Sequence, residues 1–302
     1  MTDSNPFSPS PYELNKESRA TLAEWTTLSI SVALLIPVAL ILTMIAIKAA
    51  PAISWPYLTG DVSRSGAAGG IWGPLMGTFY LTMLCLVIVA PIGVLAGIYI
   101  NEYAPDNKFT RSIMVAVTSL AGVPSIVHAL FGLGAFVATM GMHKGLLTAA
   151  MTLSVMTLPV IITSTREALS GVPKNFREAC WNLGASRWQT IRTIVLPNSF
   201  GGILTGVILV IARAAGETAP IMFMGAVMWL RIAPSGPERL MPYGLNDEFM
   251  ALSNHLNLIS KDIPGMPEEM KFGSALVLLT LILFINGIAS LVRLHLRRRK
   301  RW

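Results

Sequence analysis

Charged side chains are scarce in this 302-residue chain, since Asp, Glu, Lys and Arg together make up only 13% of it. An ordinary soluble domain carries about 25% charged residues. Hydrophobic residues account for 53% of the chain. The composition therefore excludes a disordered chain and argues against a soluble globular protein. The two cysteines, Cys85 and Cys180, are too few for a disulfide framework.

Motifs for catalysis are also missing. The sequence contains no GxxxxGK[S/T] phosphate loop and no polar segment long enough for a nucleotide-binding domain, so we do not expect this chain to hydrolyse ATP. The hydroxyl residues show no nucleophile–base arrangement. The four histidines lie in separate segments without the spacing of metal ligands: His128, His143, His255 and His295. We therefore expect no catalytic residue, metal site or cofactor in this chain.

Long apolar runs dominate the sequence instead. A helix needs about 20 apolar residues to cross about 30 Å of hydrocarbon. Five runs of that length contain no charged residue: 26–47, 79–100, 112–140, 145–165 and 272–292. A sixth run, 200–227, carries Arg213 and Glu217. We predict an all-α integral membrane protein with six transmembrane helices.

Two of these runs have features that need interpretation. The third contains Gly122 and Pro124, which predict a break or kink in the span. The first could be a cleaved signal peptide, but its apolar stretch is longer than the 7–15 residues of a signal core. A retained first helix is therefore the favoured interpretation.

The basic residues predict the orientation, because Lys and Arg are enriched on the cytoplasmic side of membrane proteins. With the N-terminus inside, fifteen of the 23 Lys and Arg residues lie in the cytoplasm and seven outside, with Arg213 in the membrane. This predicts a cytoplasmic segment 1–25, a six-helix domain 26–292 and a basic cytoplasmic tail 293–302. Within the domain, segment 166–197 is cytoplasmic, and loop 228–271 is external and holds short helices. The predicted location is the bacterial inner membrane.

The cytoplasmic segment has the pattern of a helical hairpin. Asn175 with Glu178 and Ser186 with Gln189 have the spacing of capping boxes, which mark helix starts. Gly184 lies between them and suits a left-handed turn. The second helix is expected to stop before Pro197. Such a hairpin suits docking into a groove of a partner protein.

The sequence of this segment also allows two other interpretations. It could be a plain connector between two spans. It could also be a helix–turn–helix that reads DNA, because LGASRWQTIR, residues 183–192, is basic and has a similar turn. A DNA-binding domain needs its own small core, whereas both ends of this segment enter the membrane within a few residues. We therefore expect no nucleic-acid partner.

The same segment resembles the EAA loop of permease subunits of ABC-type importers. Glu178, Ala179 and Cys180 are followed after three residues by Gly184, and after nine more by the IVLP of residues 194–197. The family pattern is EAA-x3-G-x9-I-x-LP, and Cys180 replaces its third small residue. The resemblance implies that Glu178, Ala179, Cys180, Gly184 and Ala185 couple the chain to an ATPase.

Two further stretches resemble the PstA-type permease subunits of ABC phosphate importers: AGVPSIV at 121–127 and RAAGETAP at 213–220. The resemblance runs from about residue 73 to 226. It implies a type I importer permease (MetI-like) fold. It also implies a homologous partner permease, two ATP-binding cassette subunits that hold ATP and Mg, an external phosphate-binding protein, and phosphate as substrate. Sulfate, molybdate or phosphonate remain alternatives that the residues alone do not separate.

The charges inside the sixth run are the candidate substrate site. Arg213 and Glu217 are four residues apart, so both can share one helix face. One interpretation is a structural ion pair that neutralises two costly intramembrane charges. The other, supported by the resemblance, places Arg213, Glu217 and Thr218 on the substrate pathway, because a guanidinium matches the oxygens of phosphate. Both interpretations hold if the pair opens during transport.

Overall fold

The structure, a computed structural model, describes residues 11–63, 69–232, 236–261, 263 and 265–298. Residues 1–10 of the predicted cytoplasmic segment and residues 299–302 of the predicted basic tail lie outside these ranges. The described residues are helical, with loops and two isolated β-bridges, Val62 with Gly69 and Ala226 with Phe249. The all-α fold class predicted from the sequence is therefore confirmed.

The described residues form thirteen helices, three of which are followed directly by a π-helical turn. The helices are α1 Pro11–Ala49, α2 Trp55–Thr59, α3 Trp72–Ile98 (π turn Tyr99–Tyr103), α4 Lys108–Ala121, α5 Ser125–Gly132 (π turn Leu133–Thr139), α6 Leu146–Ser170, α7 Lys174–Asn182, α8 Arg187–Thr190 (π turn Ile191–Val195), α9 Leu196–Gly216, α10 Ala219–Phe223, α11 Pro237–Leu240, α12 Leu252–Lys261 and α13 Glu268–Arg298.

Five segments of the described chain are long and apolar enough to cross a membrane: Arg19–Ala49, Trp72–Tyr103, Leu146–Ser170, Arg187–Gly216 and Glu268–Ile288. The sixth candidate is the pair α4 and α5, which are bent by 104° at Gly122 to Pro124. The predicted break in the third run is therefore confirmed. It is sharp because Pro124 cannot continue the hydrogen bonding of α4.

Hydrogen bonds at the starts of α3 and α6 show that the bent pair of α4 and α5 crosses the whole membrane. Both helices start at the loop 228–271. At the start of α6, Leu146 N–H donates to Asp247 O over 3.0 Å. Near the start of α3, Thr78 Oγ1 accepts from Leu252 N–H over 2.8 Å. The two helices therefore run in the same direction. The chain between them must cross from one membrane face to the other.

We call the face with α7 and α8 the basic face and the face with α2, α11 and α12 the loop face. Lys48 at the end of α1 forms an ion pair of 3.1 Å with Glu268 at the start of α13, so both residues lie on the loop face. The beginning of α1 and the end of α13 consequently lie on the basic face. Two ends on the basic face agree with the predicted N-in and C-in orientation.

α1 is helical from Pro11, so this helix begins before the apolar run at 26–47. Two expectations about helix ends are corrected by the structure. The sixth run is not one helix, because α9 ends at Gly216 and the backbone of Glu217 is extended, with φ −71° and ψ 135°. The second arm of the hairpin does not stop before Pro197. It continues into α9 through the π turn, and Pro197 is the second residue of α9.

Small residues bring the central helices close together. A Cβ added at Gly93 of α3 would lie 2.6 Å from Ile161 Cγ2 of α6, and one added at Gly206 of α9 would lie 2.5 Å from Ser164 Cβ. α6 therefore packs closely against both α3 and α9. Around these contacts lies the main apolar cluster, which includes Leu81, Leu153 and Val210. Close approach through small residues is the usual way in which helices associate inside lipid.

Two glycines of α9 provide a matched test of this packing. Gly206→Ala should destabilise the protein by about 1–3 kcal/mol, because its new methyl group would overlap Ser164. Gly201→Ala should be neutral or stabilise by about 0.4–1 kcal/mol, because nothing lies within 4 Å of its Cβ position and alanine restricts the unfolded chain. Thermal unfolding in detergent measures both changes. Equal melting temperatures for the two variants would contradict the packing.

Candidate functional site

The hairpin on the basic face consists of α7 and α8 joined by a glycine turn. Gly184 has φ +83°, a left-handed conformation that favours glycine. Gly184 N–H donates to Trp181 O over 2.9 Å and Ala185 N–H donates to Cys180 O over 3.0 Å, which is the Schellman pattern that ends a helix. The predicted helix, glycine turn and second helix are present.

Only one of the two predicted capping boxes forms. Ser186 Oγ accepts from Gln189 N–H over 3.2 Å and Gln189 Oε1 accepts from Ser186 N–H over 2.8 Å, as expected. The box at Asn175 is wrong, because α7 begins at Lys174 and its N-cap is Pro173. The rigid proline already sets the start of the helix, so Asn175 lies inside its first turn.

The predicted coupling residues lie together on the outer side of this hairpin. Glu178, Ala179 and Gly184 are exposed, and Cys180 and Ala185 are half-buried. The tip also exposes large apolar side chains, since Leu183 is 88% and Trp188 is 55% exposed. Apolar side chains that project into the aqueous phase form a surface suited to a partner.

The inner side of the hairpin is tied down by Arg177, a residue that sequence reasoning counted only as a basic charge. Its guanidinium donates to both carboxylate oxygens of Glu102, from Nη2 over 2.8 Å and from Nε over 3.3 Å. It also donates to Val172 O over 2.6 Å and to Leu169 O over 2.9 Å. The two side chains are 11% and 8% exposed, so this ion pair is buried.

The network extends from the ion pair to a third segment. Asn101 Nδ2 donates to Glu102 Oε1 over 2.7 Å, and Asn101 Oδ1 accepts from Ser170 Oγ over 2.7 Å. An apolar cluster lies beside it, formed by Ile98, Leu169, Val172, Ile191 and Val195. Ile191, in the π turn of the second arm, is fully buried in this cluster. Both arms of the hairpin are therefore attached to the membrane helices.

The three candidate pathway residues lie at the break between α9 and α10, close to the loop face. Arg213 Nε lies 3.4 Å from Glu217 Oε1, and the side chains are 38% and 17% exposed. Arg213 is three residues before the end of α9, and Thr218 precedes α10 and is half-buried. The predicted contact of Arg213 with Glu217 is present, although Glu217 lies just beyond the helix.

Arg213 lies on an exposed part of the surface of α9, together with Leu209 and Gly216, which precede and follow it by one helical turn. The end of α9 is held from the loop, because Ser253 Oγ of α12 donates to Glu217 O over 2.8 Å. The guanidinium is thus positioned at an open surface of this subunit rather than inside its core.

Two buried histidines have ring nitrogens without a hydrogen-bond partner among the described residues. His128 Nδ1 lies 3.3 Å from Pro124 O in the same segment, and its Nε2 is unpartnered. His255 of α12 is 4% exposed and its Nδ1 is unpartnered. Within the described ranges, no group of three or more His, Cys, Asp or Glu side chains could hold a metal ion.

Comparison with known proteins places this geometry in context. Residues 90–302 match the family described as "Binding-protein-dependent transport system inner membrane component". The chain is 31% identical over 291 residues to "Phosphate transport system permease protein PstA" of Mycobacterium leprae (strain TN), an alignment that covers 94% of this chain and 90% of that protein. It is 37% identical over 180 residues to "Probable ABC transporter permease protein YqgI" of Bacillus subtilis (strain 168), covering 60% of this chain and 61% of that relative, less than two thirds of its length.

Solved structures share the fold. A bacterial alginate ABC transporter, in complex with an alginate pentasaccharide-bound periplasmic protein, matches with a TM-score of 0.62 and 14% sequence identity, covering 94% of this chain and 96% of that chain. The inward-facing MetNI methionine ABC transporter matches with a TM-score of 0.53 and 18% identity, covering 75% and 94%. These likenesses confirm the predicted MetI-like architecture.

The buried His255 predicts a pH dependence of stability. Burial lowers the pKa of its imidazole from 6.5 to about 4, so the folded protein holds it neutral. The unfolded chain takes up a proton as the pH falls through about 6.5, which the folded protein does not do until about pH 4. Stability from this group is therefore complete above about pH 6.5 and falls by about 2 kcal/mol by pH 5.

Thermal unfolding in detergent at pH 7 and pH 5 measures this effect. The wild-type protein should lose more stability between the two pH values than His255→Gln does, because glutamine does not titrate. The exposed His143 provides a control, and His143→Gln should keep the wild-type pH dependence. The same loss in His255→Gln as in the wild type would contradict the assignment.

Proposed function

The chain belongs to the binding-protein-dependent transport system inner membrane component family, and we propose that it is the subunit of an ATP-driven importer that moves inorganic phosphate. It is a multi-pass inner membrane permease and not itself an ATPase. The observation that carries phosphate as the substrate is the similarity to permeases named for phosphate transport, which extends over 94% of the chain.

The proposal assigns Arg213 to the phosphate pathway, with Glu217 and Thr218 beside it. The guanidinium is partly exposed at the surface of α9, where a second homologous permease would complete the pathway. Its contact with Glu217, at 3.4 Å, is longer than a strong charged hydrogen bond. A phosphate oxygen competes for the same donors, and Glu217 restores the pair once phosphate has left. Thr218 contributes a hydroxyl.

The hairpin is assigned to coupling. Two ATP-binding subunits, which hold ATP and Mg, would receive the exposed surface that includes Glu178, Ala179, Cys180, Gly184 and Ala185. A binding protein outside would deliver phosphate to the loop face. Closure of the ATPase dimer would then displace the hairpin and alternate the opening of the pathway. The DNA-reading alternative is not favoured, because both arms of the hairpin are fixed to membrane helices.

Uptake of radiolabelled phosphate into vesicles that contain the reconstituted complex and internal ATP tests the substrate. Uptake should require ATP and the binding protein. Unlabelled phosphate at about ten times a saturating concentration of labelled phosphate should suppress uptake of the label by about 90%, by simple competition. Sulfate, molybdate and phosphonate at the same concentration should suppress it weakly. Stronger competition by one of these anions would assign the pathway to that oxyanion instead.

We expect Gly184→Asp to leave the chain in the membrane but to abolish uptake and weaken association with the ATPase. Aspartate adds charge to an exposed turn that must enter a groove. Gly184→Asn is the matched control, because asparagine has nearly the same size, tolerates positive φ and carries no charge. Asparagine should retain most of the uptake. Normal uptake by Gly184→Asp, measured in vesicles alongside co-purification of the ATPase, would disprove the assignment.

For Arg213, the pathway and structural interpretations make different predictions. If Arg213 serves phosphate, Arg213→Gln should reduce uptake severely, by about 100-fold, with assembly and ATPase activity retained. Arg213→Lys should recover part of the uptake, because it keeps the charge without the planar fork. Arg231→Gln, which changes an exposed arginine of the loop, is the control and should transport normally.

The double variant Arg213→Gln with Glu217→Gln distinguishes the two interpretations. In the structural interpretation the second change removes the stranded carboxylate and should restore both assembly and uptake. In the pathway interpretation the double variant assembles but does not transport, which is the result we expect. Near-normal phosphate uptake by the double variant would remove Arg213 from the pathway.

A further inference from the structure

Arg177 joins three separate segments at the basic face. Its own helix, α7, is the first arm of the hairpin. Through Glu102 it holds the π turn that ends α3, and through the carbonyls of Leu169 and Val172 it holds the end of α6 and the connection to α7. Four of the five guanidinium N–H groups are used in these contacts. One side chain therefore fixes the hairpin to both central helices.

The surroundings of this ion pair make it costly to separate. Both side chains are nearly buried, and breaking a buried pair leaves each charge without a partner and without water. The carbonyls that Arg177 binds belong to the last turn of α6 and to its continuation, and Leu169 O also accepts from Val172 N–H over 3.2 Å. A cation at this end is also favoured by the dipole of α6.

The two central helices are themselves in close contact one turn away. A Cβ added at Gly97 of α3 would lie 2.7 Å from Thr165 Cβ of α6, so the backbone of α3 packs directly against α6 at this point. The apolar cluster of Ile98, Leu169 and Val195 attaches the second arm of the hairpin at the same level. Relative movement within this region would have to break polar and apolar contacts together.

We propose that Arg177 is a positioning residue that makes α7 and the ends of α3 and α6 one rigid body, so that displacement of the hairpin moves both helices. The inference rests on the proposed coupling role of the hairpin. Arg177 lies next to the exposed coupling surface but contributes to transport by transmitting force inward, through Glu102. Without the pair, the ATPase would still bind the hairpin and hydrolyse ATP, and α7 would move without α3.

Two variants with opposite chemistry test transmission. Arg177→Lys keeps the charge but has three donors without the planar fork, fewer than the four bonds that Arg177 makes, and Glu102→Gln keeps the shape but removes the carboxylate charge. Each should reduce phosphate uptake per ATP hydrolysed by about tenfold, while the complex assembles and hydrolyses ATP within about twofold of wild type. Arg192→Lys is the matched control, because Arg192 is an exposed arginine of the same segment. It should couple normally.

A purely structural role would give a different result. The yield of assembled complex and the ATPase activity would then fall in parallel with uptake in both variants, and this outcome overturns the proposal. Wild-type ratios of uptake to ATP hydrolysis in both variants also overturn it. If only Arg177→Lys fails to assemble, Glu102→Gln still tests the proposal, because it changes neither the hairpin nor the bonds of Arg177 to the backbone.

A distance measurement tests the rigid body without reference to phosphate. Spin labels are placed at Tyr103→Cys and Asn175→Cys, both exposed, in a complex whose own cysteines are replaced by Cys85→Ala and Cys180→Ala and whose ATP-dependent phosphate uptake is measured before labelling. The distance between the labels should be the same in the nucleotide-free and vanadate-trapped complexes, and should shift or broaden after Arg177→Lys. A change of distance between the two states with Arg177 intact overturns the inference. Failure of phosphate uptake with a constant distance would disprove the proposed substrate only.

Discussion

The buried ion pair between Arg177 and Glu102 determines where the hairpin can lie relative to the membrane helices. The first arm of the hairpin, α7, is only nine residues long, and so little of its stability can come from its own backbone. The position of the hairpin depends on contacts with α3 and α6: the charged network on one side and the cluster around Ile191 and Val195 on the other. An anchored inner side leaves the outer side free to expose Leu183 and Trp188.

The helices that receive these contacts are held by a different kind of interaction. Inside lipid, apolar side chains gain little from contact with each other rather than with acyl chains, so close backbone approach and dispersion contribute most of the association. Gly93, Gly97 and Gly206 provide that approach around α6. α1 has no such role, since its membrane-crossing part is exposed and its contacts are with α13. The permease is therefore a compact centre of α3, α6 and α9 with more loosely attached outer helices.

Much of this arrangement could be predicted from local sequence patterns. Hydropathy revealed six crossings, Gly122 and Pro124 revealed the bend, and Gly184 revealed the turn, because each depends on residues close together in sequence. The Arg177–Glu102 pair could not be predicted in this way, because its members are 75 residues apart and meet only after α3 and α6 have packed. The helical passage through Pro197 and the end of α9 at Gly216 were also missed. Hydropathy locates apolar runs but does not show where their hydrogen bonding changes.

The passage through Pro197 connects the two candidate sites. Because α8, its π turn and α9 form one continuous helix over Arg187–Gly216, the second arm of the hairpin and the segment that carries Arg213 are parts of the same rod, about 45 Å long. Leu196 N–H donates to Ile191 O in the π turn, so the rod remains hydrogen-bonded where a proline would otherwise interrupt it. A displacement of the hairpin can therefore reach the Arg213–Glu217 pair along a single helix. In the proposed coupling, the first arm would act on α3 and α6 through Arg177, and the second arm would act directly on the end of α9.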